Sequence, residues 1–181
     1  RMGYAIARAA WRRGARVTLV SGPTALDPPT GVAVLRVESA VEMRDAVASA
    51  LPETDVLVMA AAGGDFRPAD PAAQKLKKHE GAPPQIQLEG NDDILMVTRP
   101  LRAPGAVIVG FALETETPVE NGREKLQRKE LDLLVVNDAT EPGAGFEVET
   151  NRVVILERVG GASELPLMCK EAVAEEILLR V

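Results

Sequence analysis

Short runs dominated by Val, Ile and Leu recur along this chain, each bounded by turn residues. They are Arg16-Val-Thr-Leu-Val20, Asp55 to Ala60, Ala106-Val-Ile-Val-Gly110 and Leu131 to Val136. A strand with one wet face alternates apolar and polar residues, so a run without alternation predicts a strand buried on both faces. Helical patterns lie between the runs. Ser39-Ala-Val-Glu42 is a capping box that opens a helix to about Leu51. Asn91 caps a helix over Asp92 to Leu101. Thr117-Pro-Val-Glu120 opens another, with Pro at the first helical position, and a terminal helix runs from about Lys170. Val32 to Val37 and Asn151 to Glu157 read as further strands, the latter in a hairpin with residues near 146. Buried strands alternating with helices predict an α/β fold, a doubly wound and mainly parallel sheet with helices on both faces.

The 181 residues suit a single domain, 1–181, with no internal repeat or linker. The formal charge of −6 argues against a general nucleic-acid binder, which carries a basic face. No apolar run approaches a membrane span and no leader pattern is present. Cys169 and His79 are each the sole residue of their type, which excludes a disulfide framework and a Cys/His metal cluster. No Ser/His/Asp or Cys/His set exists, and the lone cysteine fits a cytoplasmic protein. Cys169 and Trp11 read as packing residues. The chain opens directly in a helical pattern, with Ile6 and Ala10 on one face and Gly14 as its stop. The expectation is that a strand and a loop precede Arg1.

Ligands of such sheets bind beyond the carboxyl ends of the strands. Those ends carry Ser21-Gly22, Ala60-Ala-Ala-Gly-Gly-Asp65, Gly110-Phe111 and Asn137-Asp138. The small residues from Ala60 to Gly64 either let backbone N–H groups approach a ligand or simply make a tight turn. Asp65 is either an acceptor for a base amino group or a turn cap. Residues 66 to 84 show no period and read as a mobile flap, with Gln85 to Leu88 as a possible hairpin strand. Within it, Lys75-Leu-Lys-Lys78 is either a phosphate-binding set or a solvated loop. Lys125 and Lys129 stand at i and i+4, where like charges are mildly unfavourable unless an anion lies near them. They read equally as a polar helix face. Asn137-Asp138 either orients a substrate or caps a turn.

In this order and spacing the residues resemble the phosphopantothenoylcysteine synthetase family, the ligase half of a bacterial bifunctional coenzyme A biosynthesis protein. Arg1 to Ile6 is similar to the helix after that family's Ser-Ser-Gly loop, and Arg16 to Pro23 to its second strand. Ala60-Ala-Ala with Asp65-Phe-Arg67 resembles Ala-Ala-Val-Ala-Asp-Tyr-Arg. Lys75-Leu-Lys-Lys78 resembles the Lys-x-Lys-Lys of the CTP-using form. Gly110-Phe-Ala-Leu-Glu-Thr115, Asn137-Asp138, and Gly145-Phe146 followed by Asn151 also fit. The resemblance implies a Rossmann-like fold, a cytoplasmic homodimer, and ligation of 4′-phosphopantothenate to cysteine through an acyl-cytidylate. It implies CTP as substrate with Mg2+, and FMN only if a decarboxylase domain is fused upstream. It places the nucleotide at Ala60, Ala61, Asp65, Lys75, Asp92, Asp93, Ile94, Leu95, Phe111, Lys125 and Lys129, and the other substrate at Ala62 and Asn137. No residue is implied as a metal ligand. The family's catalytic Asn and its glycine-rich loop correspond to positions before Arg1, so no catalytic residue is assigned. Two departures stand out. Asn91-Asp92-Asp93 replaces Asn-Pro-Asp, which loosens a turn near the base, and Gly63-Gly64 replaces Val-Ala. The alternative is a Rossmann-like nucleotide-binding module without ligase activity. The lysines count against it, because dinucleotide folds cradle pyrophosphate with backbone amides.

Overall fold

The computed structural model describes residues 1–72, 74, 85–114, 117–138 and 148–181. The strands among them are β1 (Thr18–Ser21), β2 (Ala33–Arg36), β3 (Val56–Met59), β4 (Phe66–Pro68), β5 (Leu88–Gly90), β6 (Val107–Glu114), β7 (Leu133–Asp138), β8 (Thr150–Glu157) and β9 (Ala162–Cys169). The α-helices are α1 (Met2–Arg12), α2 (Ala40–Ala50), α3 (Ile94–Val97), α4 (Pro118–Arg128) and α5 (Lys170–Leu178).

The central sheet has the order β3-β6-β7-β8-β9. Pairing is parallel from β3 through β7 and antiparallel from β7 to β8 and β8 to β9. All strands but β8 therefore point the same way, as expected for a mainly parallel sheet. Helices cover both faces. On one face α1 and α5 close over Val109, Val135, Val153 and Ile155; on the other α3 and α4 close over Ile108, Leu134, Val136 and Leu156. This double cover is why the core strands carry no polar alternation.

Two smaller pairs stand apart in the pairing. β1 and β2 run parallel, and β4 and β5 form an antiparallel ribbon. The runs in β1 and β3 are only partly covered, with Val56 38% exposed, because each strand has an edge that no described strand pairs.

Local expectations divide. The capping box forms: the Glu42 N–H donates to Ser39 Oγ at 3.1 Å, and the Glu42 carboxylate accepts from the Glu38 N–H at 2.9 Å. Thr117 makes no side-chain cap, since its backbone takes φ 39°, and Pro118 alone sets the start of α4. The helix expected over Asp92 to Leu101 is shorter, α3 followed by a 3-10 turn at Arg99–Leu101 around Pro100. The hairpin partner of β8 is β9, and residues near 146 lie outside the described residues. The first part of the expected flap is ordered into β4. Cys169 is exposed rather than packed. Trp11 is 40% exposed and lies against Gly31, whose φ of 77° and closeness to the indole exclude a side chain there.

Candidate functional site

The carboxyl ends of β1 and β3 meet the first turn of α1. Tyr4 Oη and Ser21 Oγ are 2.9 Å apart in a buried pair, and a Cβ on Gly3 would lie 3.7 Å from the Ala60 methyl. Ala60 thus lets α1 approach the end of β3, whereas a Cβ on Gly63 would meet nothing within 4 Å. Ala61, Ala62 and Asp65 are exposed there.

Asn91 fixes the next part. It does not cap α3; Asp93 holds that position. The Asn91 N–H donates to the Asp65 carbonyl at 2.8 Å, and its Nδ2 donates to the Gly64 carbonyl at 2.8 Å. Its Oδ1 accepts from Arg67 Nη1 at 2.9 Å, while Arg67 Nε donates to Glu89 at 2.7 Å. One amide therefore locks the loop after β3 to the loop before α3. Asp92 adds a further anchor, accepting from Arg44 Nη1 of α2 at 2.6 Å. The carboxylate that replaces the expected proline is tied down, so the turn is held from outside rather than by ring geometry. The Arg44 guanidinium, hydrogen-bonded to Asp92 and then Asp45, is held above its ordinary pKa. Ile94 and Leu95 are buried, their side chains serving the core rather than an open surface.

Lys125 of α4 and Lys129 just after it differ in partner. Lys125 Nζ donates to Glu114 Oε1 at 2.5 Å at the carboxyl end of β6. Lys129 is the residue after α4, and its Nζ pairs with Asp93 Oδ2 at 2.8 Å. The anion that such a like-charge pair needs is thus supplied by separate protein carboxylates. Glu114, with a side chain only 10% exposed, also accepts from Asn121 Nδ2 at 3.4 Å. Arg102 donates to the carbonyls at the end of α4 and to Leu95 O. Burial draws its guanidinium below the ordinary value, opposed chiefly by Glu130.

On the other face, Phe111 packs against the α1–α5 core and leaves its ring partly open. Asn137, near the end of β7, accepts from Asn151 Nδ2 at 2.6 Å. Asn151 is buried, and its Oδ1 has no partner among the described residues. Lys170 is buried too, its Nζ donating to the Val148 carbonyl at 2.5 Å, and desolvation lowers its pKa. A cleft of about 230 Å³ opens beside it, lined by residues that include Tyr4, Arg8 and Glu171, away from the Asp93–Lys129 pair.

Through Asn91 the structure ties the Asp65 loop to Asp92 and Asp93, and Asp93 pairs with Lys129, while Lys125 of α4 reaches the end of β6 through Glu114 and Ala60 packs toward Gly3. Lys75 to Lys78, Gly145 and Phe146 lie outside the described residues. Glu114, Arg44, Arg102 and Asn151 escaped the sequence reading as site residues. Only Glu114 carried a local signal, a carboxylate closing an apolar strand.

The whole chain, residues 1–181, matches the model of the DNA/pantothenate metabolism flavoprotein C-terminal domain family. The coenzyme A biosynthesis bifunctional protein CoaBC of Mycobacterium bovis is 46% identical over 188 residues, covering 98% of this chain and 45% of that protein. A protein of an unknown prokaryotic organism named cysteine/cysteine sulfinic acid decarboxylase is 39% identical over 182 residues, covering all of this chain and 50% of that protein. The chain spans about half the length of the curated relatives it matches. The crystal structure of the C-terminal domain of a coenzyme A biosynthesis bifunctional protein CoaBC superposes with a TM-score of 0.82 at 37% identity, covering 99% of this chain and 79% of that one.

Proposed function

The chain belongs to the DNA/pantothenate metabolism flavoprotein C-terminal domain family, and on that footing we propose that it is a phosphopantothenate–cysteine ligase domain of coenzyme A biosynthesis. The relatives named CoaBC and the superposable CoaBC C-terminal domain support this reading. The observation that carries it is the convergence of Asp65, the 91–95 loop and the lysines of α4 at neighbouring strand ends.

In this reading a carboxylate oxygen of 4′-phosphopantothenate attacks the α-phosphorus of CTP, and pyrophosphate leaves. The cysteine amine then attacks the acyl carbon and CMP leaves. Asp65 and the backbone of Ala60, Ala61 and Asp92 to Leu95 hold cytosine and ribose, with Phe111 packed beside them. Lys75, Lys125 and Lys129 meet the triphosphate, where cations stabilise the charge that grows on the leaving pyrophosphate. Ala62 and Asn137 face the second substrate. Asn151 Nδ2 donates to Asn137 Oδ1, which leaves the Asn137 NH2 as the group that would donate to a substrate. Mg2+ would arrive on the phosphates, as this hard cation commonly does. FMN is assigned no residue of this chain.

The test uses the native protein with 4′-phosphopantothenate, and pyrophosphate release is followed with CTP and with ATP. CTP should be turned over faster. Equal or better turnover with ATP would refute the base readout, and nucleotide binding without any pyrophosphate would favour a module that only binds nucleotide.

We take residues 1–181 as one cytoplasmic domain that works as a homodimer. The β4–β5 ribbon supports the dimer. Phe66, Pro68 and Leu88 share one face, and Phe66 and Leu88 are 66% and 60% exposed. A lone two-stranded ribbon is marginal in water, so a second copy covering this face would stabilise it. Sedimentation should give a dimer for the parent protein and a monomer for Phe66→Ser/Leu88→Ser. A parent protein that sediments as a monomer at micromolar concentration would rule out this assembly.

A further inference from the structure

Arg102 follows the 3-10 turn after α3, and its guanidinium serves segments far apart in the chain. Nη2 donates to the Leu95 carbonyl at 2.8 Å and to the Lys129 carbonyl at 3.1 Å, and Nη1 donates to the Glu130 carbonyl at 2.9 Å. Leu95 lies in the short helix that Asp93 caps, and Lys129 closes α4. A single planar group thus joins the backbone of the Asp93 helix to the backbone of Lys129, whose ammonium meets Asp93 at 2.8 Å. A guanidinium can reach several carbonyls in fixed directions at once, which an ammonium on a flexible stem cannot reproduce.

Arg158 provides the contrast. Its Nη2 donates to the Glu130 carbonyl at 2.8 Å and its Nε to the Leu131 carbonyl at 2.9 Å. It therefore holds the same turn, where Glu130 adopts φ 49°, and among the described residues its hydrogen bonds and ion pair do not reach α3. Both arginines satisfy carbonyls at a helix C-terminus. Only Arg102 also ties that terminus to α3.

We propose that Arg102 is a positioning residue that sets the spacing between the Asp93 loop and Lys129, so that one nucleotide meets both. It touches no reacting atom, and the proposal rests on the nucleotide-binding reading above. The burial of its Nε without a partner among the described residues fits a group kept for geometry rather than for saturated hydrogen bonding.

The test compares Arg102→Lys with Arg158→Lys in the whole native protein. Both should lower the melting temperature by a few degrees, roughly as loss of a cap does. Arg102→Lys should also raise KM for CTP about tenfold with a much smaller change in kcat, the scale typical of groups that orient a ligand-binding residue. Arg158→Lys should leave KM near the parent value. Limited amine modification read by mass spectrometry gives a measure independent of activity: Lys129 should react several-fold faster in Arg102→Lys and at the parent rate in Arg158→Lys. Equal KM and equal Lys129 reactivity in the two variants would overturn the proposal and leave Arg102 a helix cap. If the parent protein binds no nucleotide, the proposed function fails, and the Lys129 contrast alone still decides the positioning role. Should Arg102→Lys not fold, Arg102→Gln takes its place with the same expected readings.

Discussion

Replacing Lys125 with glutamine is expected to lower kcat/KM for CTP by about a hundredfold or more. Two effects add. Loss of a charge-assisted contact to phosphate costs about 1.5–3 kcal/mol, or roughly one to two decades in rate or affinity. The second effect concerns Glu114. Its side chain is 10% exposed and accepts from Lys125 at 2.5 Å. Without the ammonium, a mostly buried carboxylate is left uncompensated beside the place where the triphosphate would sit. Breaking a partly buried pair is more harmful than never having had one. The variant should therefore also lose thermal stability. Adding Glu114→Gln removes the stranded charge, so Lys125→Gln/Glu114→Gln should regain stability and part of the affinity. A deficit of about ten- to a hundredfold should persist, because the phosphate contact is still missing. Steady-state pyrophosphate release and thermal melts on the single and double variants separate the effects. If Lys125→Gln alone stays within threefold of the parent, the lysine merely neutralises Glu114 and has no place at the phosphates.

The core strands β6 and β7 were legible because burial on both faces leaves a run rich in Val, Ile and Leu, and β3 carries the same kind of run although its positions are only partly buried. β9 was not legible. It is an edge strand with mostly exposed positions, and Pro166 at its centre removes a ladder donor, which a sequence pattern reads as a break. An edge position tolerates that proline because no further described strand pairs there. The helix over Asp92 to Leu101 was overextended because Leu101 stands at helical spacing from Val97, while Pro100 lies in a 3-10 turn that ends the helix. At the site, sequence located the lysines and acidic residues but not their pairing. Lys125 with Glu114 and Lys129 with Asp93 are contacts set by how α4 packs on the sheet. Asn91 looked like a cap because capping is the commonest local use of such a residue. Its actual partners are Gly64 and Asp65 of the loop after β3 and Arg67 of β4. Local chemistry can be read from spacing, whereas partners brought together by tertiary packing cannot.

How α4 packs can itself be tested, and the largest stability change is expected at Leu156. This side chain is fully buried between β8 and α4, and Leu156→Ala should cost about 2.7–5 kcal/mol, as other buried Leu→Ala changes do. Facing it is Gly122, in the middle of α4. A Cβ there would lie 2.5 Å from Leu156 Cδ1 and 3.0 Å from Val136 Cγ2, so the helix sits as close to the sheet as the backbone allows. Gly122→Ala alone gains roughly 1 kcal/mol of helix propensity and loses about 1–3 kcal/mol to overpacking, a net loss. In the Leu156→Ala background the obstructing methyl is gone. The added Cβ then fills part of the cavity, and Gly122→Ala should become neutral or stabilising. The two changes touch the same space, so their effects should not add. Urea unfolding of the parent, both single variants and the double variant measures the interaction, with an unchanged m-value as the check on two-state behaviour. The same set bears on function, because Lys125 lies one turn after Gly122 on the same helix. A Gly122→Ala helix pushed outward carries Lys125 away from Glu114, and kcat/KM for CTP should fall in that single variant and recover in the double. Strictly additive losses in stability would mean that α4 shifts freely to accept the methyl, and the tight seating of Lys125 on the end of β6 would then have to be abandoned.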